Sequence, residues 1–223
     1  SSIRESDTVV QANNGDIIVI GGLMKTDRQE IVSKVPLLGD IPWVGEAFTN
    51  RRAHPVIDGF ARMGIDLVGR YLARAVRDGQ DTEAREGMML ASFYGGICLG
   101  PVNTTAGHAL AYPLGTRHKL AHGIANALIF PHVLAINAPA VPEKTALVGR
   151  ALGFDADARQ QVLGGARSFC ERLGLDMALV AHGVPRVDLP ASAKEAHAIR
   201  RLLDWNPVDL SEADILDIYE AAY

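Results

Sequence analysis

Cysteine is nearly missing from this chain. Cys98 and Cys170 are its only two thiols, far apart and each inside an apolar helical pattern. That excludes a disulfide framework or a cysteine metal knuckle and reads as buried free thiols in a reducing compartment. Long hydrophobic runs are also lacking: no stretch approaches the roughly 18 apolar residues that a bilayer span requires. The start carries no positive region followed by an apolar run. A chain neither exported nor membrane-spanning by its own signals, hence cytoplasmic, is expected. Blocks of like charge are absent too, with 22 Lys and Arg spread among 26 Asp and Glu for a net charge of -4. Without a basic stripe, no nucleic-acid or anionic-membrane surface is expected. What remains is the balance of an ordinary globular chain, 48% hydrophobic and 22% charged over 223 residues, enough for one large or two small domains.

Strand signals are confined to the first fifty-odd residues. Thr8-Val9-Val10-Gln11-Ala12 and Asp16-Ile17-Ile18-Val19-Ile20 flank Asn13-Asn14-Gly15, and an Asn-Gly pair between β-branched runs predicts a hairpin, because both central residues of its type I′ turn need positive φ. Val35-Pro36-Leu37-Leu38-Gly39-Asp40-Ile41-Pro42-Trp43-Val44-Gly45-Glu46-Ala47-Phe48 follows. Its prolines and glycines forbid a regular helix, yet it is too apolar for a surface loop. Together with Ile20-Gly21-Gly22-Leu23, this segment resembles the conserved C-terminal region of secretins, the outer-membrane channels of type II secretion and type IV pili. That pattern reads V-I-G-G-L, then V-P-x-L-G-D-I-P. The resemblance implies a fragment acting in assembly, located at the outer membrane, and too short to build a pore by itself.

From His54-Pro55 onward the text turns helical, which places a junction at Arg52 to His54 and divides the chain into 1–53 and 54–223. Pro55 suits a first helical position, and Ile57, Phe60, Ala61, Ile65, Val68, Leu72, Ala75 and Val76 recur at three and four. A second helix is expected from Asp81 towards Gly100, with Gly95-Gly96 marking a close helix approach or a kink. Further helices are expected from Val141 to Gly153, Ala156 to Leu173 and Ala191 to Leu203. Asn206-Pro207 then forces a break, and Ser211-Glu212-Ala213-Asp214 opens a last helix through a capping box. The fold class is mainly α: an all-helical domain of six to eight helices preceded by a short β-hairpin.

The chemistry gathers around His108-Ala109-Leu110-Ala111-Tyr112-Pro113-Leu114-Gly115, His122-Gly123-Ile124-Ala125-Asn126-Ala127 and Pro131-His132-Val133. Two histidines fourteen positions apart suggest imidazoles brought together by separate elements, since neighbours on one helix lie three or four apart. The stretch resembles the metal-binding signature of the iron-dependent (group III) alcohol dehydrogenases, H-A-x-A-H-x-L-G, then H-G-x-A-N-A, then P-H-V. Nearly all of residues 54–223 resembles the C-terminal helical domain of that family. The resemblance implies that His108 and His122 are ligands of one Fe²⁺ or Zn²⁺, that NAD(P) is the cofactor, and that small alcohols or aldehydes are the substrates. His132 matches a family position that holds no metal and reads as packing, while His118 reads as a solvated loop residue.

The family's other two ligands come from a D-A-x-x-H-x-x-E motif, where this chain carries Phe48-Thr49-Asn50-Arg51-Arg52. Its nucleotide domain uses a G-G-G-S turn that Ile20-Gly21-Gly22-Leu23 does not supply. Tyr112 stands at the second His of H-A-x-A-H. The expectation is therefore a partial dehydrogenase whose two imidazoles hold metal weakly, whose turnover alone is negligible, and whose exposed apolar surface drives self-association. The alternative is a secretin fragment.

Overall fold

The structure, a computed structural model, describes residues 54–223. The expected hairpin and the proline-punctuated segment after it lie outside the described residues. Among the described residues there are nine α-helical segments and no strand. None of these helices is long and apolar enough to cross a membrane.

Helix α1, Pro55–Arg77, begins on its proline, carries Asp58 in the first turn and ends on Arg74 and Arg77, so its charges complement the helix dipole. Ile57, Ala61, Ile65, Val68, Leu72 and Ala75 form its buried stripe. Each large aliphatic among them contributes roughly 1.5 to 3 kcal/mol by leaving water. The turn into α2, Thr82–Val102, is held by Asp81. Its carboxylate caps the Ala84 N–H at 3.0 Å and receives Arg74 at 2.9 and 3.0 Å. Arg74 holds that carboxyl below its usual range.

Two glycines set how closely α1 packs. A Cβ at Gly69 would lie 1.9 Å from the Ala151 carbonyl oxygen, and one at Gly87 would lie 2.2 Å from the Tyr71 ring. Of the expected Gly95-Gly96 pair, Gly96 faces open space and Gly95 lies on the buried face of α2. Cys98 and Cys170 are both buried and free. Burial pushes their thiols up to about 11 and about 12, which makes them unreactive near neutrality.

Helix α3, Ala106–His118, and helix α4, His122–Asn137, form the centre. Nearly every residue of α4 from Ala125 to Asn137 is buried, so it is a core helix covered on all sides rather than an amphipathic one. It packs on α3, on α6 (Arg159–Arg172) and on α9 (Glu212–Ala221), while α5 (Pro142–Leu152) bridges α1 and α6. Gly153 and Gly174, at φ 80° and 88°, end α5 and α6 in the left-handed region that favours glycine. Two 3-10 turns, Leu179–His182 and Arg186–Asp188, lead into α7.

The helix expected from Ala191 to Leu203 is two helices, α7 (Leu189–His197) and α8 (Arg200–Leu203). Leu189, Ala193 and Ala196 share one buried face, as does Leu203, but an unbroken helix would turn Leu202 more than 100° away from it. The break at Ala198 and Ile199 lets Leu202 and Leu203 both be buried. Asn206 then lies fully buried against Asn137, the two amides exchanging hydrogen bonds of 2.8 Å each. Ser211 and Asp214 form the expected capping box of α9.

Candidate metal centre

His108 is the third residue of α3 and His122 the first residue of α4, so both imidazoles stand in the first turn of a helix. His108 is 2% exposed, whereas His122 is open to solvent. Their ring centroids are 5.2 Å apart, with the planes inclined at 58°. With metal–nitrogen bonds of about 2.1 Å and each nitrogen about 1.1 Å from its ring centre, two imidazoles on one tetrahedral ion would have centroids about 5 Å apart. The spacing fits a shared ion. The charge does not yet fit, because two neutral imidazoles and two helix N-termini present only neutral donors and positive dipole ends to a cation. An anionic donor is needed to complete such a site. Among the described residues, no group of three or more His, Cys, Asp or Glu side chains comes together that could hold a metal ion.

Asn126, one turn along α4 from His122 and fully buried, fixes that ring. Its Nδ2 donates to the His122 carbonyl at 3.0 Å and lies 3.2 Å from Nε2 and 3.4 Å from Nδ1 of the ring. An atom in the ring plane at those distances would collide with the carbon between the two nitrogens, so the amide rests on the ring face. It orients the imidazole without lying along either nitrogen's lone pair. Asn126 Oδ1 is buried with no hydrogen-bond partner among the described residues.

Tyr112, the departure from the family pattern, has its ring centre 6.1 Å from that of His122 and 5.7 Å from the Arg201 guanidinium carbon. The aromatic ring thus links the histidine pair to α8. Neither Asn126 nor Arg201 stood out in the sequence as a site residue. Asn126 sits inside the H-G-x-A-N-A motif, its one available signal, and Arg201 gives none because its surroundings in sequence suit the interior of a continuous helix.

His118 differs from the expectation of a solvated loop residue. It closes α3 and is half-buried, with its Nε2 sequestered and without a hydrogen-bond partner among the described residues. The helix persists through Pro113 and Gly115 because their side is packed in the core, and it ends where Lys119 turns left-handed at φ 58°. His132 lies deep in α4, and burial, with Arg167 adding repulsion, pushes it down to about 4.

Residues 42–223 match the family described as Fe-containing alcohol dehydrogenase, C-terminal. Residues 1–55 match that described as bacterial type II and III secretion system protein. The two matches overlap from 42 to 55. The chain is 34% identical over 184 residues to long-chain-alcohol dehydrogenase 1 of Geobacillus thermodenitrificans (strain NG80-2), covering 80% of this chain and 47% of that protein. It is 32% identical to 1,3-propanediol dehydrogenase of Klebsiella pneumoniae over the same shares. A crystal structure of 1,3-propanediol oxidoreductase superposes with a TM-score of 0.80 at 28% identity, covering 88% of this chain and 53% of that one. The chain therefore spans about half the length of the relatives it matches.

Proposed function

The chain belongs to the Fe-containing alcohol dehydrogenase family, and we propose that its helical unit contributes His108 and His122 to a divalent metal site serving NAD(P)-linked interconversion of small alcohols and aldehydes. The observation that carries this reading is the 5.2 Å separation of the two imidazoles, from the first turns of two different helices. Iron, or zinc in its place, would polarise the alcohol oxygen when bound. The chain's own part is to present two neutral imidazoles, one held inside the core and one clamped by Asn126, at fixed separation. Hydride transfer also needs a bound nicotinamide, which the described residues do not cradle through any glycine-rich turn. We infer that residues 54–223 hold metal weakly and do not turn over alcohol without further donors and a nucleotide-binding unit.

The test is a titration of the metal-free chain with Co²⁺ or Zn²⁺, followed by calorimetry or the Co²⁺ visible spectrum. Weak 1:1 binding should fall at least tenfold in His108→Ala and again in His122→Ala, and it should weaken as the imidazoles protonate. Wild-type affinity in either variant would sink the site. An assay of NAD(P)-dependent oxidation across short alcohols should give no turnover above buffer. Turnover abolished by His122→Ala would show instead that the site is already complete.

A second reading rests on the match of residues 1–55 to secretion-system proteins. In it, residues 1–53 form a secretin-like β segment joined near residues 49 to 54 to the helical domain, and the chain is a fusion of unrelated pieces. The dehydrogenase reading places the chain in the cytoplasm, and the secretin reading at the outer membrane. Limited proteolysis should cut at the junction and leave a stable helical fragment; protection of both parts alike would refute the two-piece organisation. Val56, Met89 and Phe93, 61%, 73% and 62% exposed on α1 and α2, support self-association, which sedimentation velocity would detect.

A further inference from the structure

Beside the histidine pair, α3 and the α7–α8 break line an open surface cavity of about 530 Å³, bordered by Tyr112, Pro113, Glu195, Ile199, Arg200 and Arg201, among others. Its charges are unevenly committed. Glu195 accepts from Arg117 at 2.6 Å, and that guanidinium holds its carboxyl below the usual range. Arg200 donates to Asp204 at 2.5 Å. Arg201 forms no ion pair with a carboxylate of the described residues; its guanidinium lies over the face of Tyr112. An aromatic face engages the plane of a guanidinium and leaves its in-plane N–H fork directed outward, the geometry that receives a carboxylate in two parallel hydrogen bonds. The apolar remainder of the wall, from Pro113, Ala198 and Ile199, suits a short methylene chain.

We propose that this cavity binds a compact anion on Arg201, specifically the carboxylate at the far end of a small hydroxy acid whose hydroxyl end points towards Tyr112 and His122. The proposal deepens the dehydrogenase reading, and rests on it for the direction of the hydroxyl end only. Arg201 is then a specificity-determining residue. The same fork could instead take the phosphate of a nucleotide cofactor, since the shared chemistry is a compact oxyanion against an arginine.

The experiment uses the full chain, metal-free, with ligand-observed NMR or calorimetry and three probes: 4-hydroxybutanoate, 1-butanol, and 2′,5′-ADP. The expected result is that 4-hydroxybutanoate binds at least tenfold more tightly than 1-butanol. Arg201→Ala should erase that difference, and Arg201→Lys, which keeps the charge but loses the fork, should recover part of it. Arg200→Ala, whose guanidinium is already engaged by Asp204, should leave it in place. Equal loss in the Arg200 and Arg201 variants would reduce the effect to diffuse positive charge and overturn the proposal. Tight 2′,5′-ADP binding that depends on Arg201, with 4-hydroxybutanoate no better than 1-butanol, would overturn it in favour of the cofactor's phosphate. The metal titration is independent: loss of metal binding with the anion preference intact removes the dehydrogenase reading, while the reverse removes only the anion site.

Discussion

The two ends of α4 carry the same kind of side chain in opposite states. At its last turn, Asn137 is 1% exposed and pairs with the fully buried Asn206 through two reciprocal amide bonds, with Asn206 Nδ2 also reaching the Val208 carbonyl at 2.7 Å. One turn in from its start, Asn126 is just as buried, yet spends its amide on the His122 ring face and leaves Oδ1 without a partner among the described residues. A buried amide whose hydrogen bonds are fully made specifies a fold, whereas one left partly unmade marks a place where structure yields to chemistry. The helix is thus anchored at one end and poised at the other.

The largest effect should come from breaking the anchored end. Asn137→Ala leaves Asn206 Oδ1 buried without its donor and opens a small void, and should cost about 3 kcal/mol in urea unfolding. Removing both amides together, as Asn137→Leu with Asn206→Leu, should cost less than the sum of the two single changes. Strict additivity would show that the pair is not coupled.

Next comes the middle of the same helix. His132 is pushed from its ordinary 6.5 to about 4 by burial. The unfolded chain therefore binds a proton that the folded chain refuses between those values. Stability should be full above pH 6.5 and fall by roughly 2 to 3 kcal/mol as pH drops towards 4. His132→Phe should flatten that part of the pH profile; an unchanged slope would assign the acid sensitivity to other groups.

Between the two ends, Tyr219 of α9 donates to the Leu110 carbonyl at 2.6 Å, two residues beyond His108. Tyr219→Phe removes that buried donor and should cost about 1 to 2 kcal/mol. Its effect on Zn²⁺ affinity should stay under threefold if the poised end depends on its local clamp rather than on this buttress. A larger loss would mean that α9 sets the position of His108.

This division also explains what could be read beforehand. The stripe of α1, the proline start of α1 and α5, the glycine stops of α5 and α6 and the Ser211 box were all legible, because amphipathic period and capping chemistry are local. Helix α3 was not, since a segment buried on nearly every side, with Pro113 and Gly115 within it, has no polar face to alternate with. The break between α7 and α8 escaped because it answers the tertiary demand to bury Leu202 and Leu203 together. At the site, the two histidines were legible from their motif. The amide on the ring and the tyrosine between His122 and Arg201 were not, because neither follows from spacing along one chain.

The smallest stability effect should come from the poised end itself. His122 is exposed at a helix start that no side chain caps, so His122→Ala removes little packing. It frees Asn126 from the ring face without breaking its bond to the carbonyl of residue 122. Unfolding free energy should shift by no more than about 0.5 kcal/mol, the range of ordinary surface substitutions, while metal retention falls at least tenfold. Asn126→Leu separates clamp from scaffold: it deletes an oxygen that has no partner among the described residues along with the amide that fixes the ring, so stability should be nearly unchanged or slightly higher. If the imidazole's orientation matters, Zn²⁺ affinity should still drop severalfold although both histidines remain. Wild-type affinity in Asn126→Leu would mean that the ring finds its place unaided, and the contrast between the two ends of α4 would then be one of packing alone.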